Sequence, residues 1–219
     1  MNNREIVVKG IGKATAAPDL IVLTMNLEVT EPTYYEKAMR RGAEVIDTLR
    51  AAIESAGHDG KDLKTTSFNI NASYERYQEK DVWKQRFAGY ACTHGLKLEF
   101  DLDMLKFGAT LGAIAGCDAD PNFNIMFSIK DPNAVSEQLL ESAIENAKWK
   151  ATVLSKAAGV RLGAIQRIDY NWSDIHLRSN TNLMVCESAA YPADGAMDIG
   201  IEPEDINVSD TATVVWAIE

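Results

Sequence analysis

The clearest fold signal is the sequence IVLTMNLEV at residues 21–29. Apolar side chains occupy every second position: Ile21, Leu23, Met25, Leu27 and Val29. This period of two is typical of a β-strand with one face in water. From residue 35 to residue 53 the apolar residues instead recur every three or four positions, which predicts a long amphipathic helix. Residues 31–33 supply a plausible start for this helix, and Gly57 is expected to end it.

The same succession of strand, long helix and strand occurs at residues 21–74 and again at residues 123–170. In the second copy, Asp131 followed by Pro132 forms a favourable helix start, and Gly159 follows the end of the helix. Each copy buries one helix stripe against one sheet face, which is an α+β arrangement. The two helices share a pattern of apolar residues but little sequence.

Three further segments complete the predicted secondary structure. Residues 75–86 are polar and charged, and we interpret them as the solvated tip of a long hairpin whose returning strand reaches Phe100. Asp101 or Asp103 caps a short helix. A final alternating strand covers residues 206–218, with Asp210 as its polar exception.

The predicted fold class is α+β, with two long helices packed on one face of a mixed or antiparallel sheet and two loosely similar strand–helix–strand units. We expect a single domain over residues 1–219, with sub-units at about 1–101 and 102–219. An irregular loop is predicted at residues 171–205, and a loop of this length is expected to be either functional or mobile.

The composition is that of a soluble, acidic, globular protein. Hydrophobic residues make up 46% of the chain, charged residues 25%, and the formal net charge is −10. This charge disfavours nucleic acid and anionic membrane surfaces as partners, because both are bound through clustered Lys and Arg. The chain contains no apolar run of the roughly 20 residues that a membrane-spanning helix needs.

The three cysteines, Cys92, Cys117 and Cys186, are odd in number and widely spaced. They define neither a disulfide framework nor a zinc ribbon, which favours a reducing compartment. Residues 1–5 enter a strand directly, without the apolar segment of a secretory signal. We therefore expect a cytoplasmic protein, with a periplasmic or envelope location as the alternative if a leader has been removed.

A series of short motifs, in order along nearly the whole chain, resembles the SIMPL-domain family, named for a signalling molecule that associates with a pelle-like kinase. These motifs are residues 8–12, Pro18-Asp19, residues 65–70, Gly89-Tyr90, residues 98–102, Ala143, Ala147, Lys150-Ala151, Leu154, Gly159, Leu162-Gly163 and residues 201–208. Each motif is weak by itself, but their order and spacing together are specific.

The resemblance implies an α+β fold and a family found in bacterial envelopes and in animal signalling proteins. Some members build large ring-like oligomers, and bacterial relatives are linked to stress tolerance without an established reaction. The family offers no catalytic residues to carry over. This chain departs from the usual bacterial pattern by lacking a leader peptide, which places an envelope location in doubt.

Three constellations were weighed as sites, and the sequence supports none of them. Gly10-Ile11-Gly12 precedes another strand rather than a helix, so a bulge or a tight strand corner is favoured over a phosphate loop. Cys92 and His94 share a strand face but lack further ligands, which favours a core role; His58 and His176 are isolated. The carboxylates Glu75, Glu79 and Asp81 lie on a polar tip that would not raise their pKa.

No nucleophile elbow is present either. We therefore predict no catalytic residue, no cofactor-binding residue and no metal ligand, and we expect a protein that is not an enzyme. The loop at residues 171–205 is the best candidate for specific contact. Its large apolar residues pack either on the protein's own sheet or on a neighbouring subunit: Trp172, Leu177, Leu183, Met184, Val185, Tyr191 and Met197.

The leading functional hypothesis is a non-catalytic, self-associating assembly or binding module with a role in stress or in the envelope. The alternatives are a small-molecule-binding protein or enzyme with its site beneath the 171–205 loop, and a signalling adaptor. We predict a homo-oligomer because the strands at residues 21–29 and 206–218 contain no proline, and either strand would expose unpaired backbone groups if it lay at a sheet margin. Trp216 is expected to contribute to the centre of the contact.

Overall fold

The structure, a computed structural model, describes residues 4–79, 81–170, 177–181 and 200–219. Within these ranges the elements follow in the order β1 (Glu5–Ala16), β2 (Leu20–Glu31), α1 (Tyr35–Ser55), a short 3₁₀ turn (Gly60–Asp62), β3 (Lys64–Glu79), β4 (Val82–Asp101), α2 (Met104–Ala115), β5 (Asn122–Ser128), α3 (Pro132–Ala157), β6 (Leu162–Tyr170) and β7 (Ile206–Ile218).

The structure confirms the predicted α+β class with antiparallel strand pairing. The strands form two sheets, one in the order β1-β7-β6 and one in the order β3-β4-β2-β5. The chain correspondingly forms two compact units. The first comprises residues 1–19, 127–180 and 203–219, and the second comprises residues 20–126 and 181–202. That residues 1–219 act as one domain stays a prediction.

In the first unit, α3 packs on β1 and β7. Small residues on α3 allow this close approach, and Trp216 of β7 is buried against them at 3% exposure. The buried residues of this part of the core are Val8, Ala147, Ala151, Val214 and Trp216. A second cluster contains Ala14, Val135, Leu139, Leu177 and Ile206.

The Gly10-Ile11-Gly12 motif lies inside a regular strand, so the predicted bulge or strand corner is wrong. Both glycines keep an unbroken register with β7. A Cβ on Gly10 would overlap the backbone carbonyl of Ala143 and lie 2.8 Å from the Cβ of Ala147. The glycines are therefore explained by the close packing of helix α3 on the strand.

Side chains of α3 also bond the outer edge of β1. The backbone N–H of Ile11 donates to Oδ1 of Asn146 at 3.0 Å, and that of Lys13 donates to Oγ of Ser142 at 3.2 Å. Lys150 Nζ donates to the carbonyl oxygen of Lys9 at 3.0 Å. These bonds occupy edge groups that would otherwise be free to pair with another strand.

In the second unit, α1 packs on β2 and β4, and α2 packs against α1. The alternating apolar residues of β2 predicted to face the core are buried at Ile21, Leu23, Met25 and Leu27. Helix α1 passes close to the sheet at Gly42, where a Cβ would lie 2.8 Å from Sγ of Cys92.

The predicted helix ends are largely confirmed. Asp131 caps α3 by accepting from the backbone N–H groups of Asn133 and Ala134, and Asp103, rather than Asp101, caps α2. Gly57 and Gly159 follow the ends of α1 and α3 with φ of 86° and 67°. This left-handed conformation is typical of the glycine that terminates a helix.

The strands β2 and β7, which would have exposed backbone groups if either lay at a sheet margin, are both interior. β2 lies between β4 and β5, and β7 lies between β1 and β6. Both strands use their backbone groups on two sides, and Trp216 is buried. The two strands and Trp216 therefore do not provide the contact surface predicted for self-association, and the other predicted contributor, the 171–205 loop, lies mostly outside the described residues.

Most of the predicted 171–205 loop lies outside the described residues. Six of the large apolar residues predicted for this loop are also outside the described residues: Trp172, Leu183, Met184, Val185, Tyr191 and Met197. Leu177 is described, and it is buried at 6% exposure in the core of the first unit. This residue packs on the protein's own fold, which was one of the two options considered.

Candidate functional site

The β3–β4 hairpin extends beyond the rest of its sheet. The pairing of β2 with β4 ends at Glu31 opposite Tyr90, whereas β3 and β4 stay paired from Tyr74–Phe87 out to Glu79–Val82. We call residues 74–79 and 82–87 the aromatic arm. The predicted exposed tip of a long hairpin over residues 75–86 is confirmed, but most of these residues form a regular two-stranded ribbon rather than a turn.

A bulge marks the base of the aromatic arm. The register shifts between Ser73 and Tyr74, and Gly89 opposite Ser73 has φ of 139°, a conformation that L side chains rarely adopt. A Cβ on Gly89 would overlap the carbonyl oxygen of Glu31 and lie 2.7 Å from Cα of Pro32. The chain leaving β2 therefore passes directly against Gly89, and the arm starts at this point.

One face of the aromatic arm carries large exposed rings. Tyr74 is paired with Phe87, and Trp83 follows on the same face opposite Gln78. Their exposed fractions are 60% for Tyr74, 47% for Phe87 and 67% for Trp83. Side chains on a strand alternate between faces, so these rings lie on the side of the sheet that carries Cys92 and α1.

The rings form a continuous row from the arm to α1. The ring centroids are 6.0 Å apart for Tyr74 and Phe87, 5.3 Å for Phe87 and Tyr90, and 5.9 Å for Tyr90 and Tyr35. All three contacts are edge-to-face, an arrangement that contributes about 0.5–1.5 kcal/mol per pair beyond burial of area. Tyr35 is the first residue of α1. The row of rings therefore begins where the helix ends its cover of the sheet and runs outward along the arm.

The opposite face of the aromatic arm carries ion pairs between its two strands. Glu75 pairs with Arg86, Glu79 pairs with Lys84 at 2.5 Å, and Arg86 lies 5.6 Å from the ring centroid of Tyr77. Two of the three carboxylates considered in the sequence analysis thus face cations across the ribbon. The third, Asp81, lies in the turn with φ of 60°.

The aromatic arm differs in charge from the rest of the protein. Residues 74–87 contain four basic and three acidic residues, a formal charge of +1. Since the whole chain carries −10, the remaining residues carry −11. The arm therefore combines exposed aromatic rings with a charge opposite in sign to that of the body.

Cys92 and His94 have different surroundings although they share a strand face. Cys92 is buried beneath Gly42, and burial raises the pKa of its thiol. His94 is half-buried, its ring centroid is 4.7 Å from that of Phe68, and burial lowers its pKa. No cluster of three or more potential metal-ligating side chains occurs among the described residues.

His58 forms one hydrogen bond, to the hydroxyl group of Thr110. Its Nε2 lies 2.7 Å from Oγ1 of Thr110, whose own hydroxyl donates to the carbonyl of Lys106 at 2.7 Å. Because that proton is committed, Nε2 must carry the hydrogen and donate it to Thr110. His176 lies outside the described residues.

The sequence contained a usable signal for the arm. Tyr74, Gln78, Trp83 and Phe87 fall in one phase of the β period, and Glu75, Tyr77 and Glu79 fall in the other. The charged residues of the second set made the whole segment look polar, although the first set is largely aromatic. Considering each phase separately would have predicted a ribbon with two unlike faces.

Comparison with known proteins identifies the family of this fold. The model of the SIMPL family, described as "Protein of unknown function (DUF541)", matches residues 6–216. The chain belongs to the SIMPL family, as its motifs predicted.

Two curated relatives carry the description "26 kDa periplasmic immunogenic protein". The protein from Brucella melitensis biotype 1 is 28% identical to this chain over 164 residues, and the one from Brucella abortus (strain S19) is 27% identical over 164 residues. The match covers 74% of this chain and 65% of each relative. The chain thus spans less than two thirds of the length of these relatives.

Within the described ranges, no helix combines the length and the apolar character needed to cross a membrane.

Proposed function

We propose that this protein is a non-catalytic, self-associating module of the cell envelope, and that the aromatic arm is its contact surface. The observation that carries the proposal is the projection of an aromatic ribbon beyond the sheet. Large exposed apolar patches on soluble proteins commonly mark interaction sites. Tyr and Trp are also enriched among the residues that dominate binding energy at the centres of interfaces.

The stability of the arm supports the same function. A two-stranded hairpin without a third strand or a covering helix is marginally stable in water. The ion pairs on one face are exposed, and such pairs contribute about 0–1 kcal/mol each. A partner that covers Tyr74, Trp83 and Phe87 would stabilise the ribbon by removing apolar area from water.

Charge favours a second copy of this chain as the partner. The arm is slightly basic and the body strongly acidic, so docking an arm on a neighbour's body joins opposite charges. The overall charge of −10 opposes association at long range. At physiological salt the Debye length is about 8 Å, so this repulsion is largely screened at the contact.

The envelope location rests on the relatives. Both Brucella proteins are described as periplasmic. Cell fractionation with an antibody to the protein tests this part of the proposal, and recovery with cytoplasmic markers would refute it.

The test of self-association is light scattering behind size exclusion. We expect a mass that is a multiple of 24.1 kDa at micromolar concentration, in both low and high salt. The triple variant Tyr74→Thr, Trp83→Thr and Phe87→Thr keeps strand-forming residues but removes the rings, and we expect it to elute as the monomer.

Tyr77→Thr is the matched control, because Tyr77 lies on the opposite face of the same ribbon. This variant should keep the wild-type mass, and circular dichroism should show that all variants are folded. A wild-type mass of 24.1 kDa in both salt conditions would refute self-association. A triple variant that remains oligomeric would refute the role of the aromatic arm.

A further inference from the structure

A cavity of about 290 Å³ lies in the second unit, beside helix α1 and strands β3 and β4. Met39 and Ile46 of α1 and Phe68 of β3 provide apolar walls, while Arg50, Thr65 and His94 provide polar ones. Met39 and Phe68 are 45% and 44% exposed, so the cavity is open on one side. Neither the fold nor the proposed contact through the aromatic arm accounts for it.

His94 is the residue that gives the cavity its chemistry. Its Nδ1 is shielded from solvent and has no hydrogen-bond partner among the described residues, whereas Nε2 is not shielded in this way. Burial lowers the pKa of the ring, so the imidazole is neutral at neutral pH and carries one proton. Placing that proton on Nδ1 would bury an unpaired donor, which is costlier than burying a lone pair.

The tautomer follows from this difference. The hydrogen belongs on Nε2, the ring nitrogen that remains accessible, and the imidazole offers a single N–H donor. The complementary ligand atom is an oxygen that accepts a hydrogen bond.

The rest of the cavity determines the body of the ligand. The rings of Phe68 and His94 are 4.7 Å apart at an angle of 51°, and the thioether of Met39 is a wall of the kind that packs favourably on aromatic rings. Arg50 uses Nη1 in its 2.6 Å ion pair with Asp47, and this leaves further N–H donors at the rim. The volume is at the small end of the range for ligand sites, which suits one or two rings.

We infer that this cavity is a binding site for small aromatic molecules that carry an oxygen acceptor, such as phenols, with the ring against Phe68 and the oxygen at Nε2 of His94. This site shares no lining residue with the aromatic arm.

The test uses 4-fluorophenol as the probe and 4-fluorotoluene, which lacks the oxygen, as the matched control. Fluorine NMR should show saturable binding of 4-fluorophenol with a Kd on the order of 1 mM, as expected for so small a ligand. One neutral hydrogen bond contributes a factor of about five in affinity, so 4-fluorotoluene should bind about fivefold more weakly.

Two variants separate the contributions of the oxygen and of the ring. His94→Phe should abolish the preference for 4-fluorophenol over 4-fluorotoluene, and Phe68→Ala should weaken both several-fold. Trp83→Thr on the aromatic arm should change neither affinity. Unchanged binding in both cavity variants, or no saturable binding at roughly 10 mM probe, would overturn the inference.

A measurement on the wild-type protein covers the case in which a cavity variant fails to fold. The chain has only three histidines, so the His94 ring resonance can be assigned from the spectra of His58→Gln and His176→Gln. Adding 4-fluorophenol should shift the His94 resonance in a saturable way and leave that of His58 unchanged. An unshifted His94 resonance at a concentration where the probe is bound would refute the site.

Discussion

Gly10 of β1 lies directly beneath the backbone carbonyl of Ala143 on α3, with no room for a Cβ between them. Gly12 has the same relation to the carbonyl of Leu139, one helical turn away. Helix and strand therefore approach backbone to backbone at two successive points. This spacing lets the α3 side chains Asn146 and Ser142 bond the strand edge.

We predict that Gly10→Ala destabilises the protein by about 3 kcal/mol, because the atoms in its way are backbone atoms that cannot rotate aside. Gly112→Ala is the control, since a Cβ on Gly112 in α2 meets nothing within 4 Å. That change should raise stability by about 0.5–1 kcal/mol through helix propensity. Urea unfolding measures both variants, and equal effects would contradict the close packing.

The contact between Gly42 and Cys92 can be tested with a double-mutant cycle. We predict that the effect of Gly42→Ala on the free energy of unfolding changes sign when Cys92 is replaced by Ala. Gly42→Ala alone should destabilise by about 1–3 kcal/mol, because its Cβ would lie 2.8 Å from the Cys92 sulfur. In a Cys92→Ala background that sulfur is absent and the next atom, the Cβ of residue 92, is 3.7 Å away. Gly42→Ala should then stabilise the protein by up to about 1 kcal/mol. Additive effects in urea unfolding would exclude this contact.

His58 predicts a loss of stability in mild acid. Burial, followed by the charge of Lys106, lowers its pKa in the folded state, and Asp62 opposes this only in part. The unfolded chain therefore takes up the proton first, at about pH 6.5. The contribution of neutral His58 is fully present above that pH and is lost as the pH falls towards the lower folded pKa.

The measurement is the free energy of unfolding between about pH 7 and pH 5.5, where each such group adds a slope of at most about 1.4 kcal/mol per pH unit. His58→Gln keeps an N–H donor for Thr110 but does not titrate, so it should reduce the slope. His94, whose pKa burial also lowers, should contribute to the slope that remains. A slope that His58→Gln leaves unchanged would count against this assignment.

Tyr170 and Asp210 link the strands β6 and β7. The Tyr170 hydroxyl donates to Oδ2 of Asp210 at 2.6 Å, and this hydrogen bond is the main cause of the raised Tyr170 pKa. We predict that Tyr170→Phe lowers the free energy of unfolding by about 1 kcal/mol at pH 7. The cost should disappear in an Asp210→Ala background, in which the hydroxyl has lost this acceptor; an equal cost in both backgrounds would show that the bond contributes nothing.

Local signals in the sequence predicted local structure well. Asp131 with Pro132 marks the start of α3 because capping depends on residues only two or three positions apart. The bounds of β7 were likewise predicted from the alternation of apolar and polar residues within the strand itself. Asp210, the polar exception in that alternation, accepts a hydrogen bond from Tyr170, a residue 40 positions away that its local sequence does not indicate.

Non-local relations were the ones that the sequence did not provide. The period of a strand shows which side chains share a face, but not whether the strand lies at the edge or in the middle of a sheet. For this reason the sequence left open whether β2 and β7 lie at a sheet margin, and it did not indicate the division into two sheets. The cavity at His94 was missed because its walls come from three elements that are separated along the chain.

The position of β7 between β1 and β6 has a consequence for biogenesis. Ala16 pairs with Ile206, which is 190 residues further along the chain, whereas all four strands of the other sheet begin within residues 20–126. At a synthesis rate of about 5–20 residues per second, β1 waits about 10–40 s for its neighbour to be made. Throughout that interval the nascent three-stranded sheet lacks its middle strand, so this half of the polypeptide stays unfolded and accessible to chaperones while the other half can already fold.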